Sequence, residues 1–306
     1  MIARNSSRVT VPCPICGPAN RIPFTECSGF PIVRCCGCRL LFVGEAAPVE
    51  QTQDFFRSEH ITDEGSTQQH YVDWRKDSLA REAAIIRRMY PDGGRLLDVG
   101  AASGFFLHQF QNQPSWEVTG VEPSCVSTAF ARKHFGLRIH NGYLHDAAYS
   151  DETFDVVTSL DSFTCHREPA ADLREIHRIL NPGGLLAIEI GGLNFRLLKG
   201  TGILCRLLYG RPARLNAGVN YFYYNRTTLT MLAESCGFNY ETSFAESMPT
   251  IGSTLVRAFK QSYFHMTAMA YRWSNGRASL VPKEFILFRK PGGDSAGRTA
   301  NQRSAA

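Results

Sequence analysis

From Arg95 to about Ile190, short apolar runs alternate with amphipathic stretches, and no other property of this 306-residue chain restricts its fold as much. Strands separated by helix-length segments pair in parallel, because a helical crossover carries the chain back to the same end of the sheet. The pattern therefore predicts a parallel sheet flanked by helices. Strands are expected at Arg95–Val99, Glu117–Val121, Leu137–His140, Phe154–Leu160 and Leu185–Ile190. Helices are expected at about Ser103–Gln111, from a Ser124 N-cap to a terminal Gly136, and from Pro169 to the turn at Asn181–Gly184. Upstream, a helix from Asp73 puts Leu79, Ala83, Ile86 and Tyr90 on one face and stops at Pro91. Downstream, Phe195–Tyr209, Thr227–Cys236 and Ile251–Trp273 read as helices, and Phe285–Arg289 as a last strand. The amphipathic runs Phe195–Tyr209 and Ile251–Trp273 are read as core-facing helices, against a lid or a membrane-surface contact.

Hydrophobic residues make up 43% of the chain and charged residues 20%, the proportions of an ordinary globular protein. Collagen-like, coiled-coil and wholly disordered folds are excluded. No apolar run approaches the roughly 20 residues that span a bilayer, and the opening MIARNSSRVTVPCPICG lacks the apolar centre of a secretory signal, so a cytoplasmic protein is expected. The net charge of +5 falls mostly after Phe288, where four basic residues face one acid. It is weak evidence for a nucleic-acid partner.

Six of the ten cysteines lie in the first 38 residues. Cys13 with Cys16, and Cys35 with Cys38, form two CxxC pairs in which Gly17 and Gly37 supply permissive backbone. Four thiolates so spaced close a tetrahedron around zinc, leaving no open position for a substrate, so a structural zinc ion is expected. Cys27 is read as a spectator, and Cys36 stands too near Cys38 for a normal knuckle.

The segment Leu96–Leu107 joins an apolar strand to a helix through Asp98, Gly100, Ala102 and Gly104. Such a loop brings bare backbone against a ligand at the carboxyl edge of a parallel sheet. Phe105 occupies the position where dinucleotide-binding loops need a third glycine, so the ligand expected is a nucleoside without a pyrophosphate. Glu122, at the tip of the second strand, is placed to accept hydrogen bonds from a ribose hydroxyl pair.

Leu96–Leu107, Glu122, FDVVTSLDSFTCH and LREIHRILNPGGLLAIEIG together resemble the ordered motifs of class I S-adenosylmethionine (SAM) dependent methyltransferases. With the CPxCG and CxxC pairs ahead of it, the chain is similar to zinc-ribbon methyltransferases that tailor sugar nucleotides, polysaccharides and natural products. The resemblance implies a doubly wound, Rossmann-like α/β sheet of seven strands behind a small zinc-ribbon module. It divides the chain into that module at 1–44, a linker and leading helix at 45–91, and a methyltransferase domain at 92–291. Helical insertions are expected at about 194–224 and 248–280, and a disordered tail at 292–306.

The resemblance further implies that Asp98, Gly100, Ala102 and Gly104 hold the methionine portion of SAM, Glu122 the ribose, and Tyr143 with Leu144 the adenine. His166 is the candidate base, with Asp161 as its alternative or as a residue that positions substrate. Relatives often carry Glu-His where this chain has Cys165-His166, and carbon methyltransferases carry Glu-His where it has Val219-Asn220. Methyl transfer to oxygen of a small or carbohydrate-type acceptor is therefore expected. An RNA methyltransferase with a zinc module, and a catalytically silent binding protein, are the alternatives. The tyrosines from Tyr221 to Tyr224 are assigned either to the core or to a sugar-stacking wall.

Overall fold

The computed structural model describes residues 8–18, 20–58, 66–200, 215, 217–247 and 253–292. Cys13 and Gly17 exchange backbone hydrogen bonds of 3.1 and 2.8 Å, closing the first knuckle over Gly17 at φ 69°. Cys35 ends the second hairpin strand, and its N–H and C=O pair with Leu40 and Arg39. Around these turns run β1 (Val9–Thr10), β2 (Arg21–Cys27), β3 (Phe30–Cys35), β4 (Leu41–Val43) and β5 (Glu45–Ala46). The β2–β3 hairpin turns on Ser28 and Gly29, both at positive φ, the geometry that matches the twist of the flanking strands. β5 pairs with β1 and leads into α1 (Val49–Ser58).

Helix α2 (Ser66–Met89) begins about two turns before the expected Asp73, and it buries Leu79, Ala83 and Ile86 as the periodicity requires. The main sheet follows: β6 (Gly94–Val99), α3 (Phe105–His108), β7 (Trp116–Glu122), α4 (Cys125–Phe135), β8 (Arg138–Asn141), β9 (Phe154–Leu160), α5 (Pro169–Ile179) and β10 (Leu180–Gly191). Then come α6 (Leu193–Gly200), β11 (Phe222–Tyr223), α7 (Arg226–Ser235), β12 (Asn239–Glu246), α8 (Thr254–Trp273) and β13 (Lys283–Arg289). The expected helix at Ser103–Gln111 shrinks to the single turn of α3 between looser turns. The Asn181–Gly184 turn is a bulge inside β10, whose Leu180 already pairs with Phe154 of β9. The part of the expected Phe195–Tyr209 helix beyond Gly200, and the tail from residue 293, lie outside the described residues.

The seven strands run in the order β12-β13-β10-β9-β6-β7-β8, with β13 alone antiparallel to its neighbours. The chain winds outward from β6 through β7 to β8, then returns to the other side of β6 as β9. This reversal opens a crevice at the carboxyl ends of β6 and β9. Alternation along the strands supplies two cores. Leu96, Val156, Leu185 and Leu287 face α2 and α3, while Leu97, Val157, Leu186 and Ile286 face α5 and α7. The second core continues without a break into the cysteine module, because β11 pairs with β4, Phe222 opposite Phe42, and completes a sheet of order β11-β4-β3-β2. Tyr221, Phe222, Tyr223 and Tyr224 are all buried there, which decides for the core over a sugar-stacking wall.

Candidate active site

The loop after β6 is pinned to β7 by two hydrogen bonds from the Gly100 and Ala101 N–H groups to the Val121 carbonyl, at 2.8 and 3.1 Å. Gly100 (φ 79°) passes so close to the loop after β9 that a Cβ there would lie 2.5 Å from the Ser162 Cβ. The next turn puts Ala102 in the left-handed region at φ 46° and aims its N–H at Glu122 Oε2, 2.8 Å away. The Ser124 N–H donates to Oε1 at the same distance. Burial raises the Glu122 carboxyl above its ordinary range, and these two N–H groups partly offset that. Each oxygen has taken one backbone donor and keeps a second lone pair, which fits a vicinal hydroxyl pair.

A cavity of about 330 Å³ opens at the carboxyl ends of β6, β7 and β9. Of the residues assigned from sequence, Gly100, Ala102, Glu122, Tyr143, Leu144, Asp161 and His166 line it. Asp98 and Gly104 stand behind the wall. Asp98 is 2% exposed and accepts a 2.6 Å hydrogen bond from the Thr158 hydroxyl. Burial pushes its carboxyl up to about 7 against the pull of that bond. Gly104, at φ 79°, spaces the loop against its support, since a Cβ there would meet Leu137 Cδ1 at 2.5 Å. One side of the cavity belongs to α1, through Val49, Thr52, Gln53 and Phe56. Tyr143 holds this helix by donating its hydroxyl to the Gln53 carbonyl at 3.0 Å, and Arg167 by donating to Thr52 Oγ1 at 3.0 Å.

His166 follows the short turn after β9. Its Nδ1 lies 2.7 Å from Oδ2 of Asp172 on α5, and the other carboxylate oxygen lies 3.1 Å from His145 Nε2. Burial alone would raise the Asp172 carboxyl, but neighbouring His166 and the two imidazole hydrogen bonds hold it down to about 2. With Nδ1 engaged by a carboxylate, Nε2 of His166 is the nitrogen left to accept a proton in the cavity. Asp161 sits at φ 60°, 2.9 Å from Lys283 Nζ and 3.6 Å from Arg75, and both cations are also paired with Glu189. Against the effect of burial, Lys283 and then Arg75 keep its carboxyl below the ordinary range. An anion held this firmly suits orienting a substrate better than taking a proton from it.

Sequence reasoning missed Asp172, His145 and the α1 wall. The only signal for Asp172 is an acid in the first turn of the helix after His166, which resembles an ordinary N-terminal charge. In the N-terminal module the sulfurs of Cys13, Cys16, Cys35 and Cys38 all lie within 4.8 Å of one another, and three of these cysteines are buried. A zinc tetrahedron with about 2.3 Å bonds needs sulfurs roughly 3.8 Å apart, so this set fits with little movement. Gly37 is part of the fit, because a Cβ there would stand 3.1 Å from the Cys16 sulfur.

A family model described as a methyltransferase domain matches residues 71–243. The chain is 30% identical over 91 residues to a demethylmenaquinone methyltransferase of Chlorobaculum parvum, covering 29% of this chain and 38% of that protein. It is 28% identical over 120 residues to the O-methyltransferase cnsE of Penicillium expansum, covering 37% and 43% respectively. The chain thus spans about two fifths of the length of these curated relatives. Among solved structures it resembles a chain of the complex between the Haloferax volcanii Trm112 methyltransferase activator and a methyltransferase, with TM-score 0.52, 16% identity, and 78% and 97% of the two chains covered. It also resembles Haemonchus contortus phosphoethanolamine N-methyltransferase 2 in complex with S-adenosyl-L-methionine, with TM-score 0.51, 18% identity, and 78% and 60% covered. Both share its fold.

Proposed function

Because the chain belongs to the methyltransferase-domain family, with the seven-stranded sheet of its class I SAM-dependent members, we propose that it methylates an oxygen of a small or carbohydrate-type acceptor. When bound, SAM supplies a methyl group made electrophilic by a sulfonium centre. Glu122 would hold the ribose hydroxyls on the remaining lone pairs of its two oxygens, the turn at Gly100–Ala102 would receive the methionine portion on bare backbone, and Tyr143 with Leu144 would flank the base. The acceptor hydroxyl would be held beside the cofactor at the part of the cavity lined by His166 and Asp161. His166 Nε2 removes its proton, Asp172 balances the positive charge that this places on the imidazole, and Asp161 orients the acceptor.

The observation that carries this reading is the His166–Asp172 pair lining the same cavity as Glu122. The modest net charge favours a small acceptor over a nucleic acid. Zinc, on Cys13, Cys16, Cys35 and Cys38, is assigned a structural role, and a cytoplasmic location is proposed with it. Calorimetric titration with SAM and with its demethylated product tests the cofactor assignment. Micromolar binding, weakened about thirtyfold or more in Glu122→Ala, is expected; no binding by either compound refutes it.

A further inference from the structure

Helix α8 buries Thr267, Ala268 and Tyr271 against the fold, yet its opposite side is also apolar. Leu255, Phe259, Met266, Met269 and Trp273 are 83, 54, 63, 64 and 94% exposed. At about 100° per residue these five fall within an arc of about 80°, and Trp273 stands five turns, about 27 Å, along the axis from Leu255. Val256, 43% exposed, widens the row. Single exposed apolar side chains are ordinary on a protein surface. A row of five such side chains along a 20-residue helix, interrupted only by Ser262, marks a contact surface.

Charge indicates what covers it. Between Glu246 and Glu284 the sequence contains no acidic residue, while Arg257, Lys260, Arg272 and Arg277 are basic. By the same helical geometry Arg257 and Lys260 project away from the apolar row, whereas Arg272 and Arg277 bracket Trp273 at its end. A second copy of this helix would bring like charges together. An anionic bilayer surface meets this positive segment with opposite charge, takes the apolar row into its headgroup–acyl boundary, and lets the exposed Arg272 and Arg277 reach the headgroups. We infer that α8 docks the protein flat on an anionic phospholipid surface, with Leu255, Phe259, Met266, Met269 and Trp273 inserted. No described helix is long and apolar enough to cross a membrane, so the contact is peripheral. None of the inserted residues lines the cavity, and docking does not depend on methyl transfer.

Co-sedimentation of the full-length protein with vesicles tests this. Retention is expected on mixed phosphatidylcholine–phosphatidylglycerol vesicles and not on phosphatidylcholine alone, and it should weaken as salt is raised. Phe259→Ser combined with Trp273→Ser should cut the bound fraction at least about tenfold while leaving circular dichroism and SAM binding unchanged. Three outcomes would overturn the inference: no retention on either vesicle, equal retention on both, or a dimer at sedimentation equilibrium that the same two substitutions abolish. Vesicle binding without SAM binding would leave it standing and refute the cofactor assignment instead.

Discussion

Asp172→Asn separates orientation of the His166 imidazole from mere proximity to it, since the amide keeps the volume and removes the charge that both histidines share. The carboxyl stands at about 2 in the folded protein against an ordinary 3.8, a gap worth about 2 kcal/mol at about 1.4 kcal/mol per pH unit. A carboxyl held low stabilises the fold in full above about pH 4 and loses that contribution as pH falls through about 2. The substitution should therefore cost about 2 kcal/mol at neutral pH, near 4 °C in Tm for a chain of this size, with the deficit shrinking in acid. In steady-state kinetics kcat should fall about a hundredfold or more, while SAM affinity stays within about twofold. Adding His166→Asn should cost little beyond either single change, because the two residues act as a unit. If Asp172→Asn keeps kcat within about threefold while His166→Asn loses a hundredfold, the orienting role is refuted. If both keep it, His166 is not the base.

Three further outcomes follow from the same geometry. Gly104→Ala combines a left-handed backbone with a contact at 2.5 Å to Leu137, so a loss of about 2–4 kcal/mol is expected in urea unfolding; an unchanged midpoint refutes the packing account. Asp98, raised by burial to about 7, takes up a proton on folding, so the wild type should lose up to about 4 kcal/mol relative to Asp98→Asn as pH rises from 4 to 7. A gap between the two proteins that stays constant over that range tells against it. Cys38→Ser should lower zinc content below one per chain in atomic emission, whereas Cys36→Ser should not; full retention in Cys38→Ser sinks the four-cysteine assignment.

The parallel strands were legible because each is a short apolar run bounded by turn residues, and their observed limits differ from expectation by a residue or two at most ends. Strand β12 was not: its sequence, NYETSFAE, has no apolar run, and it is a strand only because β13 offers an edge. α1 was missed for a similar reason: only Val49, Phe55 and Phe56 of its ten residues are apolar, a composition like that of a loop, and its cavity side includes the polar Thr52 and Gln53. At the site, single-residue features carried by the backbone could be read from sequence: the loop at Gly100, the acid at the end of β7, the histidine after β9. Partnerships could not. Asp172 reaches His166 across a turn, and Lys283 reaches Asp161 from 122 positions away, distances that no local pattern encodes.

The pairing of β11 with β4 has a consequence for how the chain is made. Phe42 leaves the ribosome 180 positions ahead of Phe222, its partner across that ladder. At about 5–20 residues per second, roughly 10–40 s of synthesis pass before the partner exists. Throughout that interval the apolar strand Leu41–Val43 has an open edge, even if its cysteines have already taken up metal. The cysteine module, which emerges ahead of the main sheet, is therefore among the last parts to be finished, and a nascent chain stalled before Phe222 presents a sticky strand that invites chaperone capture or aggregation.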